Sequence, residues 1–90
     1  MVKAIISVVG HDRIGIIAKV SNKLAEYSVN ILDISQTVMQ EYFTMIMLVD
    51  IEALNVEFGD FTDGMQKLSD EINMKIRVQH EDIFNSMHRI

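Results

Sequence analysis

The chain has 90 residues, of which 49% are hydrophobic, and its formal net charge is -5. A chain this short builds one small domain, which cannot bury all the apolar surface that such a composition supplies, so we expect another chain to cover part of it. The acidic balance argues against a nucleic-acid-binding surface. The lack of cysteine excludes disulfides and thiolate chemistry, and no segment resembles a signal peptide or a membrane span. These properties predict one cytoplasmic domain over residues 1–90.

The first predicted elements are a strand and a helix joined by a polar turn. Residues 2–9 are apolar on both alternating faces, which is typical of an inner strand. The turn runs from Gly10 to Gly15, and apolar residues then recur at helical spacing. The stripe consists of Ile17, Val20, Leu24 and Tyr27. Asp12 is a candidate N-cap, because its carboxylate can accept hydrogen bonds from amides of the first turn.

Two further strands are predicted next. Residues 29–39 carry many polar side chains and suit an edge strand. After a turn at Gln40 and Glu41, residues 42–50 are apolar on both faces and predict a central strand.

The clearest helical stripe of the sequence follows the third strand. Its members are Phe58, Phe61, Met65, Leu68 and Ile72. Asn55 is a plausible cap. Gly64 borders the stripe, and either close contact with the first helix compensates for its low helix propensity or it is a tolerated weak spot. Residues 74–80 alternate strictly and predict a one-sided edge strand, and residues 81–90 form a short helical tail that needs a docking surface.

The order βαββαβ predicts an α+β, ferredoxin-like fold. Two helices would cover one face of a four-stranded antiparallel sheet in the order 4-1-3-2. The third strand is apolar on both faces while the helices cover only one. A partner subunit or the tail must cover the other, and we predict a homo-oligomer, at least a dimer.

One segment resembles a known family. The pattern Gly-x-Asp-Arg-x-Gly-Ile-Ile-Ala-Lys-Val-Ser opens the first helix, and Asn30-Ile31 opens the second strand. Together they resemble the ACT domain, a small regulatory module that typically binds amino acids. The resemblance covers essentially the whole chain and implies a stand-alone ACT protein. Ile14 stands where the family often has proline, so the first helical turn is less preorganised here.

The resemblance also implies a ligand site between the loop before the first helix and the start of the second strand, often across a dimer interface. Its residues would be His11, Asp12, Gly15, Ile16 and Asn30. A helix N-terminus suits a carboxylate, and an asparagine can both donate and accept. The alternatives are that Asp12 only caps the helix, that both glycines serve only turn geometry and helix packing, that Asn30 is a turn residue with positive φ and that His11 is solvated.

The remaining side chains indicate no catalytic chemistry. The three histidines, His11, His80 and His88, share no metal-ligand spacing, and no serine lies in a nucleophile-elbow motif. The glycines do not match a nucleotide-binding loop, so no cofactor is expected. We therefore predict a non-enzymatic module that senses a small molecule, and the alternative is a protein-interaction module that binds no ligand. Neither nucleic acid nor a membrane is expected as a partner.

Overall fold

The computed structural model describes residues 1–11 and 14–81, so the predicted tail lies outside the described residues from residue 82 onward. The elements are β1 (Lys3–Gly10), α1 (Ile16–Glu26), β2 (Asn30–Met39), β3 (Tyr42–Asp50), α2 (Phe58–Ile72) and β4 (Lys75–His80). They follow the predicted βαββαβ order.

The four strands form one antiparallel sheet in the order β2-β3-β1-β4. This is the predicted order 4-1-3-2 read from the other edge, and the ferredoxin-like fold is confirmed. β1 lies inside the sheet, because it pairs with β3 from Lys3↔Asp50 to Gly10↔Phe43 and with β4 on its other side. The two strands predicted to be apolar on both faces are therefore the two central ones.

The hydrophobic core lies between the helices and one face of the sheet. Alternate residues of the central strands supply its floor: Ala4, Ile6, Val8, Phe43, Met45, Met47 and Val49. From α1 come Ile16, Val20 and Leu24. Ile17 was predicted to begin this stripe, but it is exposed and Ile16 is buried. The helix starts at Ile16, and spacing alone could not decide which of two adjacent isoleucines faces inward.

β2 contains a bulge that the sequence pattern does not predict. The register with β3 shifts between Ile31 and Asp33, so Leu32 is an extra residue in the ladder. Ile31 pairs with Val49, and after the bulge Ile34 pairs with Met47. A bulge places two residues of one strand against one of its partner, so both isoleucines share the helix-facing side although they are three positions apart.

Two contacts join the end of α1 to α2 and the loop before it. Gly64 is buried, and a Cβ atom at this position would overlap the hydroxyl group of Tyr27. Close contact between the helices is therefore the reason for this glycine. Asn55 is not the cap of α2, because Glu57 takes the N-cap position. Its side-chain amide instead donates to the carbonyl oxygen of Glu26 at 2.9 Å.

The other side of the sheet carries no helix among the described residues. We call it the open sheet face, and its apolar side chains are Ile5, Val9, Tyr42, Ile46 and Leu48. Ile46 is 48% exposed although it sits on a central strand. Within residues 1–11 and 14–81, no helix is long and apolar enough to span a membrane.

Candidate functional site

The connection from β1 to α1 ends in a glycine with left-handed backbone geometry. Gly15 is the N-cap of α1, with φ 71° and ψ 1°, and the amide of Lys19 donates to its carbonyl oxygen at 3.0 Å. The first amides of a helix have no partner within the helix. Apart from the glycine, its two chain neighbours and the adjoining helix backbone, no atom of the described residues lies within 4 Å of the place where a Gly15 Cβ would be. Gly15 itself therefore adds no side chain that would keep a ligand from this end of α1. Asp12, predicted to be the cap, lies outside the described residues.

His11 lies at the end of β1 and is exposed. Its ring meets the ring of Tyr42 edge-on, with centroids 4.8 Å apart and planes at 78°. Ile16, by contrast, is 4% exposed, so its side chain belongs to the core. Only the backbone amide of Ile16 is left to donate a hydrogen bond to a ligand. Tyr42 was not among the predicted site residues. The sequence feature that could have indicated it is its position at the start of a central strand, beside the turn from Gly10 to Gly15.

Asn30 lies at the opposite end of the sheet from His11. It pairs with Asp50, which in turn pairs with Lys3 at the start of β1. Gly10, the last residue of β1, is seven residues beyond Lys3, and His11 comes directly after it. At about 3.4 Å per residue, the strand from Lys3 to Gly10 is about 24 Å long. The fold therefore does not bring Asn30 together with His11 and Gly15 within one chain.

Among the described residues, β2 is the outer strand on this side of the sheet and pairs along one edge only. Two of its last residues carry exposed apolar side chains, Val38 (50% exposed) and Met39 (69%), and Ile14, before α1, is 83% exposed. A long edge strand with apolar neighbours is a surface that readily pairs with another strand.

The described residues show little other site chemistry. They contain no group of three or more histidine, aspartate or glutamate side chains placed to hold a metal ion. On the outer side of α1, the hydrogen bond and ion pair with Glu26 raise the pKa of Lys23 above its ordinary value. This pair lies on the surface between positions i and i+3 and is a feature of the helix, not of the site.

The sheet order, the two helices and the loop that opens α1 define a class of protein. The sequence profile of the ACT domain matches residues 3–79, and the chain belongs to the ACT domain family. ACT domains are regulatory ligand-binding modules, and membership indicates a regulatory, non-catalytic domain.

Within that family, the chain is similar to small proteins of its own length. It is 51% identical to the UPF0237 protein of Methanococcus maripaludis over 90 residues, which cover all of both chains. Among solved structures it resembles an ACT domain protein from Streptococcus pneumoniae, with 44% identity, a TM-score of 0.82 and coverage of 92% of this chain and 93% of that one. It also matches 28% of a formyltetrahydrofolate deformylase from Pseudomonas syringae, with 26% identity, a TM-score of 0.79 and 89% of this chain covered.

Proposed function

We propose that this chain is a cytoplasmic, non-catalytic sensor that binds a small molecule, in the first instance an amino acid, between two copies of itself. The observation that carries the proposal is the separation of the two walls of the site. Asn30 lies at one end of the sheet, and His11 and Gly15 lie at the other. One chain alone holds half of each of two sites.

Pairing of two β2 strands would complete both sites at once. In an antiparallel pair related by a two-fold axis, the first residue of one strand lies opposite the last residue of the other when the two strands pair over their whole length. Asn30 of a second copy would then lie beside Met39, which pairs with Tyr42, the residue that His11 contacts. Asn30 and Tyr42 also belong to the same face of the sheet. Asn30 pairs with Asp50, and both Asp50 and Tyr42 lie on the side of β3 opposite its buried residues.

The chemistry of this arrangement suits an amino acid. The first amides of α1 have no partner within the helix, and together with the partial positive charge of a helix N-terminus they favour a carboxylate. The side chain of Asn30 can both donate and accept a hydrogen bond, on the face of the sheet that it shares with Tyr42. A ligand that contacts both copies favours the paired state over the unpaired one. A partner protein that binds only one of these two states then responds to the ligand.

A second candidate is a protein-interaction module whose ligand site is unused. The exposed apolar side chains of the open sheet face favour it, since exposed patches of this kind commonly mark surfaces that bind other proteins. The two candidates differ in their response to small molecules.

The test is a thermal-shift screen against the twenty amino acids, with Asn30→Ala as the variant. A ligand at 100 times its dissociation constant stabilises the folded state by about 2.7 kcal/mol, which is easily measured as a higher Tm. We expect one or a few amino acids to raise the Tm and Asn30→Ala to abolish that rise. Asn22→Ala is the matched control, because Asn22 is also exposed but lies on α1 away from either wall.

A uniform lack of response at millimolar concentration would overturn the amino-acid sensor. Co-purification of another protein in native mass spectrometry, combined with that lack of response, would favour the interaction module. A response that Asn30→Ala leaves unchanged would place the ligand elsewhere on the chain.

A further inference from the structure

One row of side chains crosses the open sheet face from β4 to β2. The ladders place Gln79 of β4, Ile5 of β1, Leu48 of β3 and Asp33 of β2 side by side on this face. Ile5 and Leu48 are half-buried, whereas Ile46, two residues before Leu48 on β3, is 48% exposed. The row is therefore an apolar strip with polar ends, and one of those ends lies at the last residues of β4.

The chain leaves β4 where the helix side of the sheet is already occupied. His80 pairs with Ala4 of the core, and its ring meets that of Phe58 edge-on, with centroids 5.8 Å apart. Phe58 is the first residue of α2, so this helix covers the inner side of the exit. Glu81, directly after β4, is already helical. A segment that continues from Glu81 can therefore reach the open sheet face without displacing α2.

The sequence of residues 82–90, which lie outside the described residues, is amphipathic at helical spacing. Its apolar side consists of Ile83, Phe84, Met87 and Ile90. Asn85 and Arg89 fall on the opposite side of such a helix. An isolated helix of this length is not stable in water, so the segment needs a surface that buries its apolar side.

The length of this segment matches the width of the sheet. As a helix, residues 82–90 would be about 13.5 Å long at about 1.5 Å per residue. From β4 to β2 there are three strand spacings of about 4.8 Å, which add to about 14 Å. A helix that starts at the end of β4 therefore spans β1 and β3, the two strands that supply the apolar part of the row.

We propose that residues 82–90 form a helix that docks across the open sheet face of their own chain, with its apolar side against Ile5 and Leu48. This helix covers the side of the central strands that α1 and α2 leave uncovered. A protein that binds the open sheet face must first displace it, so the segment competes with such a partner. Docking requires neither a ligand nor the pairing of β2 strands, and its test is independent of the sensor.

The test uses the full chain with one added cysteine, Leu48→Cys, because the natural sequence contains none. The rate of its reaction with a water-soluble maleimide measures how accessible this point of the row is. We expect Met87→Asp to raise that rate at least about tenfold, which corresponds to about 1.4 kcal/mol of docking free energy. Asn85→Asp is the matched control, because it adds the same charge on the other side of the segment, and it should leave the rate unchanged.

A second measurement needs no substitution. In protein with labelled methyl groups, nuclear Overhauser cross-peaks should connect Met87 with Ile5 and Leu48. A sample that mixes labelled and unlabelled chains distinguishes contacts within one chain from contacts between two chains. We expect the cross-peaks to arise within one chain.

Equal reaction rates in Met87→Asp and Asn85→Asp would overturn the docking of residues 82–90, and so would the absence of the cross-peaks. A rate that rises on dilution of the protein, without any effect of Met87→Asp, would assign the cover of this face to a second copy instead. Cross-peaks that arise only between chains would equally overturn docking within one chain.

Discussion

Ser69 is the buried polar side chain of the part of the chain that the structure describes, at 6% exposure. It replaces the hydrogen bonds that the backbone cannot make where α2 turns into β4. Its carbonyl oxygen accepts from the amide of Met74 at 3.1 Å. Its hydroxyl group donates to the carbonyl oxygen of Met74 and accepts from the amide of Ile76 at 3.3 Å. One serine thus satisfies backbone groups on both sides of the turn.

Replacing Ser69 by alanine should destabilise the protein by about 1–3 kcal/mol, because the buried amide of Ile76 and the carbonyl of Met74 lose their partner. Urea denaturation followed by circular dichroism measures the change. Ser35→Ala is the control, since Ser35 is exposed on β2, and it should change stability by less than about 0.5 kcal/mol. An equal effect of both substitutions would contradict the role assigned to Ser69.

The helix caps show what residue preferences alone can predict. Asn55 is a favourable cap by type, but its side chain donates to the carbonyl oxygen of Glu26 on α1, and the N-cap of α2 is two residues later, at Glu57. At α1 the N-cap position falls on Gly15, and Asp12 lies outside the described residues. The bond from Asn55 to Glu26 is a tertiary contact, which a local pattern does not contain.

At the scale of elements, α1 and α2 meet where Tyr27 reaches over Gly64. The ring of Tyr27 also contacts Phe61 edge-on, with centroids 5.3 Å apart. The tyrosine is therefore held from two sides and has little freedom to move away from a new side chain.

Gly64→Ala should destabilise the protein by about 1–3 kcal/mol despite the better helix propensity of alanine, because the added methyl group displaces Tyr27. Thermal denaturation measures this change. Gly59→Ala is the control, since Gly59 is on the same helix with open space around it, and it should stabilise by up to about 1 kcal/mol. Adding Tyr27→Phe to Gly64→Ala should recover part of the loss, and no recovery would show that the hydroxyl group is not the cause.

The strands were predictable from sequence because their alternation of side chains has a period of two. β3 begins and ends at the predicted residues, and β2 and β4 each differ by one. The bulge at Leu32 was not predictable, because neither glycine nor proline marks it. It becomes visible only through the pairing of β2 with β3.

At the scale of the whole molecule, the predicted site residues lie at two ends of one sheet. The resemblance to the ACT family supplied their identities and the expectation of a dimer interface. Strand order and register add that Asn30 lies far from His11 and Gly15 within one chain, which supports our proposal that a second copy supplies it. The exposed side chains of Val38 and Met39 at the end of β2 then indicate where we expect a second copy to pack.

Light scattering at micromolar concentration should give at least twice the 10.3 kDa of one chain. Val38→Glu should reduce the mass to that of a single chain, because a charge would be buried without a partner at the proposed β2 interface. Ala53→Glu is the control, since Ala53 is exposed in the loop between β3 and α2, and it should leave the mass unchanged. A wild-type monomer would refute the proposed pairing.

The central position of β1 also governs the order in which the protein can fold. β1 precedes every other element in the chain, yet its partners are β3 and β4, which come some 40 and 70 residues later. Such long-range pairing slows folding, because the entropy cost of closing a long loop comes before the stabilising contacts form. During synthesis, β1 remains an exposed edge until β4 leaves the ribosome. The nascent chain therefore passes through a stage in which one of its two apolar central strands is open to aggregation.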